Sequence, residues 1–207
     1  MSVFRIEGFV GEGRNTAAAI AQFLSENPDT AEIVVNSPGG DAFEGSAILA
    51  EIERHGRVSI RIEGVAASAA SLIAVGGATI VMHAAAVMMI HEPASISWGS
   101  SAVHRKSAEV MEKLTDIYAR AYSRATGNPL ELVKQWMADE TWLDASEAVA
   151  LNFADQVEGE AGQDAPIAAV FNYTKFKDPP ALFVELVSKH GWATASPAEI
   201  EKEKRNA

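Results

Sequence analysis

Ser68 stands in a run of small residues, Gly64-Val65-Ala66-Ala67-Ser68-Ala69-Ala70-Ser71, where a β-rich stretch gives way to an Ala-rich helical one. Small neighbours leave its hydroxyl sterically open, and a helix N-terminus favours negative charge there. This suits a nucleophile, and equally an N-cap, the commonest task of a serine at such a junction. Ser71, one turn on, packs the helix or bonds back to its carbonyls. His91 closes the apolar run Val87-Met88-Met89-Ile90 and precedes Glu92-Pro93. A histidine there reaches the sheet edge, where it can take a proton from a serine or bond to backbone. Asp139 and Glu140 stand side by side before Thr141-Trp142-Leu143. Either carboxylate could hold an imidazole in the required tautomer, or cap the helix that follows. In Asn36-Ser37-Pro38-Gly39-Gly40 the two glycines could present backbone N–H groups to an oxyanion, or simply make a tight turn. His55, His83, His104 and His190 lack any comparable setting, and no pair shows metal-ligand spacing.

Positioning these residues falls to alternating elements. The runs 3–10, 31–36, 58–63, 79–83 and 87–91 read as strands, and 15–25, 42–55 and 68–75 as helices. Strand runs such as EIVVN and TIVM are nearly continuous apolar, as expected where both faces are covered. The repeated β-α-β order implies right-handed crossovers and a layered α/β core. After Pro93 the period changes. Val103, Ser107, Met111, Leu114, Tyr118, Ala121 and Ala125 mark one face of a long helix that stops at Gly127. Short helices at 130–137 and 146–151 and a closing strand at 153–157 follow. We divide the chain into residues 1–158, one α/β domain, and 159–207, a linker and C-terminal extension. Within the extension GEAGQDAP is a linker by composition, 181–189 can form an amphipathic helix, and EIEKEKRNA is a charged, frayed end.

Composition excludes several classes. Seventeen Lys and Arg stand against 28 Asp and Glu, a net charge of -11 over 207 residues, which argues against nucleic acid as a partner. With no cysteine, disulfides, thiolate zinc sites and Cys nucleophiles are excluded, and a reducing compartment fits. No Asp, Glu, Lys or Arg occurs from Gly64 to Ile90. That stretch exceeds the roughly 20 residues of a membrane span, but Gly76-Gly77 and His83 interrupt it, so a buried helix with two buried strands is expected instead. No Walker motif is present.

Taken together, the motifs resemble the Clp protease proteolytic subunit family, and within it the Clp-like head maturation proteases of tailed phages. The resemblance covers about residues 4–157 and rests on NSPGG, the GxAAS around Ser68, MIHEP around His91 and ETWLDASEAVALNFAD from Glu140 to Asp155. Serine, histidine and acid occur in the family's order. It implies an α/β fold, the ClpP/crotonase-like superhelix of β-β-α units with a long protruding handle helix. It implies a serine endopeptidase with Ser68 as nucleophile, His91 as base and Glu140 as acid. Glu140 occupies a position that is usually Asp in the family, and Asp139 is the alternative. Gly40 and Ala69 match the oxyanion donors. Gly39 with Ser95, Ile96, Ser97 and Trp98 match the region that pairs with an extended substrate. Implied partners are polypeptide substrates, including scaffold and capsid proteins of a phage prohead, and further copies of the chain in a ring, a heptamer or stacked rings. No cofactor or metal is implied. The location implied is cytoplasmic, meaning host cytoplasm or prohead interior for a viral source. The chain begins almost at its first strand, without most of the leading segment that forms axial pore loops, which puts docking to an unfoldase ATPase in question. Rival readings are a crotonase-fold acyl-CoA enzyme, a Ser-Lys signal-peptide-peptidase type, and a catalytically silent ring-forming scaffold. The Ser-Lys type is disfavoured because no lysine precedes Lys106.

Overall fold

In a computed structural model, which describes residues 2–159 and 170–191, apolar strands stack into one seven-stranded sheet covered by helices. β1 (Val3–Glu7), β2 (Ala31–Ser37), β3 (Val58–Ala67), β4 (Thr79–His83) and β7 (Gln156–Glu158) lie side by side in that order, each pair parallel. β2 buries Ala31, Ile33, Val35 and Ser37 on one face, while its other face carries Glu32, Val34 and Asn36, so the two-sided apolar cover expected of EIVVN holds on one side only. The helices α1 (Ala17–Glu26), α2 (Ala42–His55) and α3 (Ala69–Ala74) fill the crossovers. α2 is fixed at both ends: the Asp41 carboxylate accepts from the Glu44 N–H at 2.8 Å, and Gly56 closes it in the left-handed conformation.

β3 changes partner along its length. Its first half, Ser59 to Ile62, pairs with β4, whereas Val65, Ala66 and Ala67 pair with Val87, Met88 and Met89 of β5 (Val87–Ile90). β5 pairs in turn, antiparallel, with β6 (Thr141–Asp144), matching Met89 to Trp142 and Ile90 to Thr141. β5 therefore stands between the strand that leads to Ser68 and the strand that follows Glu140.

The long helix α4 (Ser101–Thr126) ends at Gly127 as expected. Its apolar stripe divides. Leu114, Tyr118 and Ala121 are buried, while Val103 and Ala125 of the same stripe are exposed, as are Val110 and Ile117 beside it, and residues 101–113 include no buried residue. The first half of α4 thus leaves the body of the domain. α5 (Leu130–Ala138) and α6 (Ala145–Ala150), the latter opened by an Asp144–Glu147 capping box, flank β6.

Several boundaries differ from expectation. Residues 141–144, to which no element was assigned, form a strand through pairing with β5. Phe153 and Ala154 are buried outside any strand, and β7 begins only at Gln156. The first strand ends at Glu7, with Val10 making only an isolated bridge to Gly40.

Residues 170–191 pack on the domain. A short 3-10 turn at Tyr173–Lys175 and helix α7 (Ala181–His190) carry Tyr173, Phe183 and Val187 into a second core with Val65, Ala67 and Met89. Beyond Gly159 the expected linker, and the charged end EIEKEKRNA, lie outside the described residues. Among the described residues no helix is long and apolar enough to cross a membrane, and none of the His, Asp and Glu gather in threes that could hold a metal ion.

Candidate active site

Where β3 turns into α3, Ser68 adopts φ 57° and ψ -124°, a region that costs a non-glycine residue about 1–3 kcal/mol. Its side chain makes no cap bond to the helix. The N-cap reading therefore fails at this serine, and the strained turn aims the hydroxyl outward, 2.8 Å from Nε2 of His91. Backbone pairing sets this distance: the Ser68 N–H donates to the Met89 carbonyl at 3.0 Å, which carries the β3–β5 ladder one step further. Ser71 is wholly buried, its Oγ 2.7 Å from the carbonyls of Ser68 and Met89 and 2.9 Å from the Tyr122 hydroxyl. It braces the turn from below.

Beside Ser68 lies the glycine loop. Gly39 has φ 96°, and a Cβ there would sit 2.6 Å from the Ala67 carbonyl and 2.7 Å from the Ser68 Cβ. The close approach is possible only without a side chain. The buried Ser37 holds the loop, donating to the Gly8 carbonyl at 2.6 Å and accepting from the Gly39 N–H at 3.1 Å. Around Gly40, Val10 donates to the Gly39 carbonyl and accepts from the Asp41 N–H. In a parallel bridge of that pattern the Gly40 N–H turns away from Val10. The Ala69 N–H is the first of α3 and has no carbonyl within the helix to bond.

His91 is mostly buried, and burial holds its pKa below the ordinary histidine value, with the Glu140 carboxylate pulling the other way. Glu140 Oε2 stands 4.0 Å from His91 Nδ1. With Nε2 facing the serine hydroxyl, Nδ1 faces this carboxylate. Glu140 is buried and has φ 55°, whereas Asp139 is exposed and ends α5. Of the two acids the fold brings Glu140 to His91.

The segment of Ser95, Ile96, Ser97 and Trp98 forms no strand in the chain. Ile96 and Trp98 are almost fully exposed, and the Ser97 hydroxyl is 2.6 Å from His104 Nδ1 on α4.

Sequence reasoning missed one group altogether. Trp142 Nε1 donates to Glu140 Oε1 at 3.3 Å, the Lys177 N–H donates to Oε2 at 2.8 Å, and the Asp178 N–H donates to Oε1 at 2.7 Å. Phe176 stands edge-on to the His91 ring, with centroids 5.8 Å apart. The signal available was the density of aromatics, Phe171, Tyr173, Phe176 and Phe183, in a segment otherwise read as an appendage. Such residues pack when they can.

The sequence profile described as Clp protease matches residues 12–161 of the chain. The chloroplastic ATP-dependent Clp protease proteolytic subunit 1 of Arabidopsis thaliana is 32% identical over 149 residues, covering 69% of this chain and 76% of that protein. The ATP-dependent Clp protease proteolytic subunits of Epifagus virginiana and Pleurastrum terricola are 33% and 30% identical over 152 and 154 residues, covering 70% and 72% of this chain and 78% and 79% of theirs. The chain belongs to the Clp protease family of serine-type peptidases.

Proposed function

We propose that this chain is a serine endopeptidase in which Ser68, His91 and Glu140 form the catalytic triad and the N–H groups of Gly40 and Ala69 form the oxyanion hole. The observation that carries the reading is the Ser68 Oγ to His91 Nε2 distance of 2.8 Å, held by a strained turn against the glycine loop. Ser68 Oγ attacks the peptide carbonyl as His91 Nε2 takes its proton. The tetrahedral oxyanion is held by the two amides, and His91 then protonates the leaving amine. Water, deprotonated by His91, releases the acyl group and restores the serine. Glu140 keeps the Nδ1 proton facing itself and stabilises the imidazolium. None of these steps calls for a metal or cofactor.

Substrates are polypeptides, paired in extended form along the edge that includes Gly39 and residues 95–98. The exposed half-stripe of α4 supports burial against further copies of the chain, giving a ring with its sites facing inward. The finer reading is a head maturation protease that trims scaffold and capsid proteins within a prohead. It rests on the motifs around Ser68, His91 and Glu140.

Mass spectrometry after fluorophosphonate treatment tests the core of the proposal. A single adduct on Ser68, lost in Ser68→Ala and in His91→Ala, is expected. An intact assembled ring that takes up no label would overturn it. Native mass of the oligomer and cleavage of purified scaffold protein test the ring and the substrate separately.

A further inference from the structure

We propose that residues 172–178, beyond the stretch matched to the family, are positioning residues for Glu140: the N–H groups of Lys177 and Asp178 hold its carboxylate in line with His91. The inference rests on the triad reading above. A buried carboxylate needs hydrogen bonds in place of water. From the domain itself Glu140 receives the long bond of Trp142, and its approach to His91 Nδ1 is 4.0 Å. Its two short bonds, 2.8 and 2.7 Å, both come from the C-terminal segment. They reach one oxygen each, so together they fix the rotation of the carboxylate as well as its position.

The donors are themselves anchored. Tyr173 is fully buried and stacks on Phe183 with centroids 4.6 Å apart. Phe176, immediately before the two donors, packs edge-on against both His91 and Trp142. Asn172 turns the chain by accepting from the Thr174 N–H at 3.2 Å. Pro179 and Pro180 follow, fixing the backbone beyond the donors. Yet the side chains of Lys177 and Asp178 are exposed and neither bonds Glu140, the Lys177 ammonium donating instead to the Ala138 carbonyl at 3.4 Å. The recognition is by main chain, so what matters at these positions is an N–H, and a residue without one breaks it.

The test uses the full-length protein and the rate of Ser68 labelling by a fluorophosphonate. Replacing the amide between residues 177 and 178 by an ester deletes the Asp178 donor with little change in shape. Labelling should slow roughly tenfold, the low end of the loss when partners of an orienting group are removed. The conservative variant Asp178→Ala keeps the amide and should label about tenfold faster than the ester. Lys177→Pro, which deletes the other donor, should slow labelling likewise. Both losses should vanish in a Glu140→Ala background, because the donors act only through that carboxylate. Ester and proline losses below twofold, or losses that persist without Glu140, would overturn the inference. Absence of any Ser68-dependent label in the unmodified protein would instead remove the peptidase reading itself.

Discussion

Glu140 Oε2 and the Lys177 N–H, 37 positions apart in sequence, meet at 2.8 Å, so the acid beside His91 is held from a segment that follows the matched family domain. The two carboxylates read as candidates from sequence should therefore behave differently. Glu140→Gln should lower kcat/KM by on the order of a hundredfold, less than where the acid bonds the ring directly. Asp139→Asn, exposed and outside the cluster, should stay within about twofold. Equal losses in the two variants would reassign the acid.

Activity should survive to lower pH than an ordinary histidine permits. On the proposed triad only neutral His91 can accept the serine proton, so kcat/KM falls as pH drops through its pKa. Burial places that pKa below 6.5, and the acid limb should have its midpoint below pH 6.5. Glu140 raises the His91 pKa, so Glu140→Gln should move the midpoint lower still. A midpoint at or above 6.5 in a pH profile, or an upward move in the variant, would contradict the electrostatics described here.

Strain at Ser68 should be measurable by comparing two inactive variants. Ser68→Ala and Ser68→Gly both lose the hydroxyl and its bond to His91. Only glycine relieves φ 57°. Ser68→Gly should be the more stable of the two by about 1 kcal/mol, strain relief set against glycine's greater freedom when unfolded. Chemical denaturation of both provides the measurement, and equal stabilities would mean that the turn is not strained.

Gly39→Ala should cost both stability and labelling. The added methyl would meet the Ala67 carbonyl and the Ser68 Cβ at under 3 Å, displacing Ser68 or the loop beside it. A loss of at least about 2 kcal/mol is expected. Wild-type labelling in this variant would show that the loop can retreat without harm.

Phe183→Ala removes a buried ring stacked on Tyr173 and should destabilise the protein by about 3 kcal/mol. Denaturant midpoints check it. A change within 0.5 kcal/mol, the range of ordinary surface substitutions, would mean that α7 is not seated on the second core.

The sequence disclosed elements whose ends carry local chemistry. α2 runs from Ala42 to His55, as read, because Asp41 and Gly56 bracket it; β4 runs from Thr79 to His83, as read. β6 was missed because Thr141 and Trp142 favour a strand but a run of four is too short to show its period; its partner β5 lies some 50 positions earlier. Phe153 shows the reverse case, an apolar run that reports burial without extension. At the site, residue types and their order were legible, and the strained conformation of Ser68, with no cap bond to the helix, was not. Least legible were the donors to Glu140, since main-chain N–H groups are common to nearly every residue and only the packing of Tyr173 and Phe176 selects which two arrive.

β5, four residues long, serves as a common gauge for the whole cluster. One edge fixes the chain leading to Ser68 and the other the chain leaving Glu140, with His91 just past its end. Side chains on a strand alternate in direction, so slippage by a single residue would swing the imidazole to the opposite side of the sheet and offset both neighbours together. A residue inserted into or deleted from this strand therefore disturbs Ser68, His91 and Glu140 together, whatever the loops around it do.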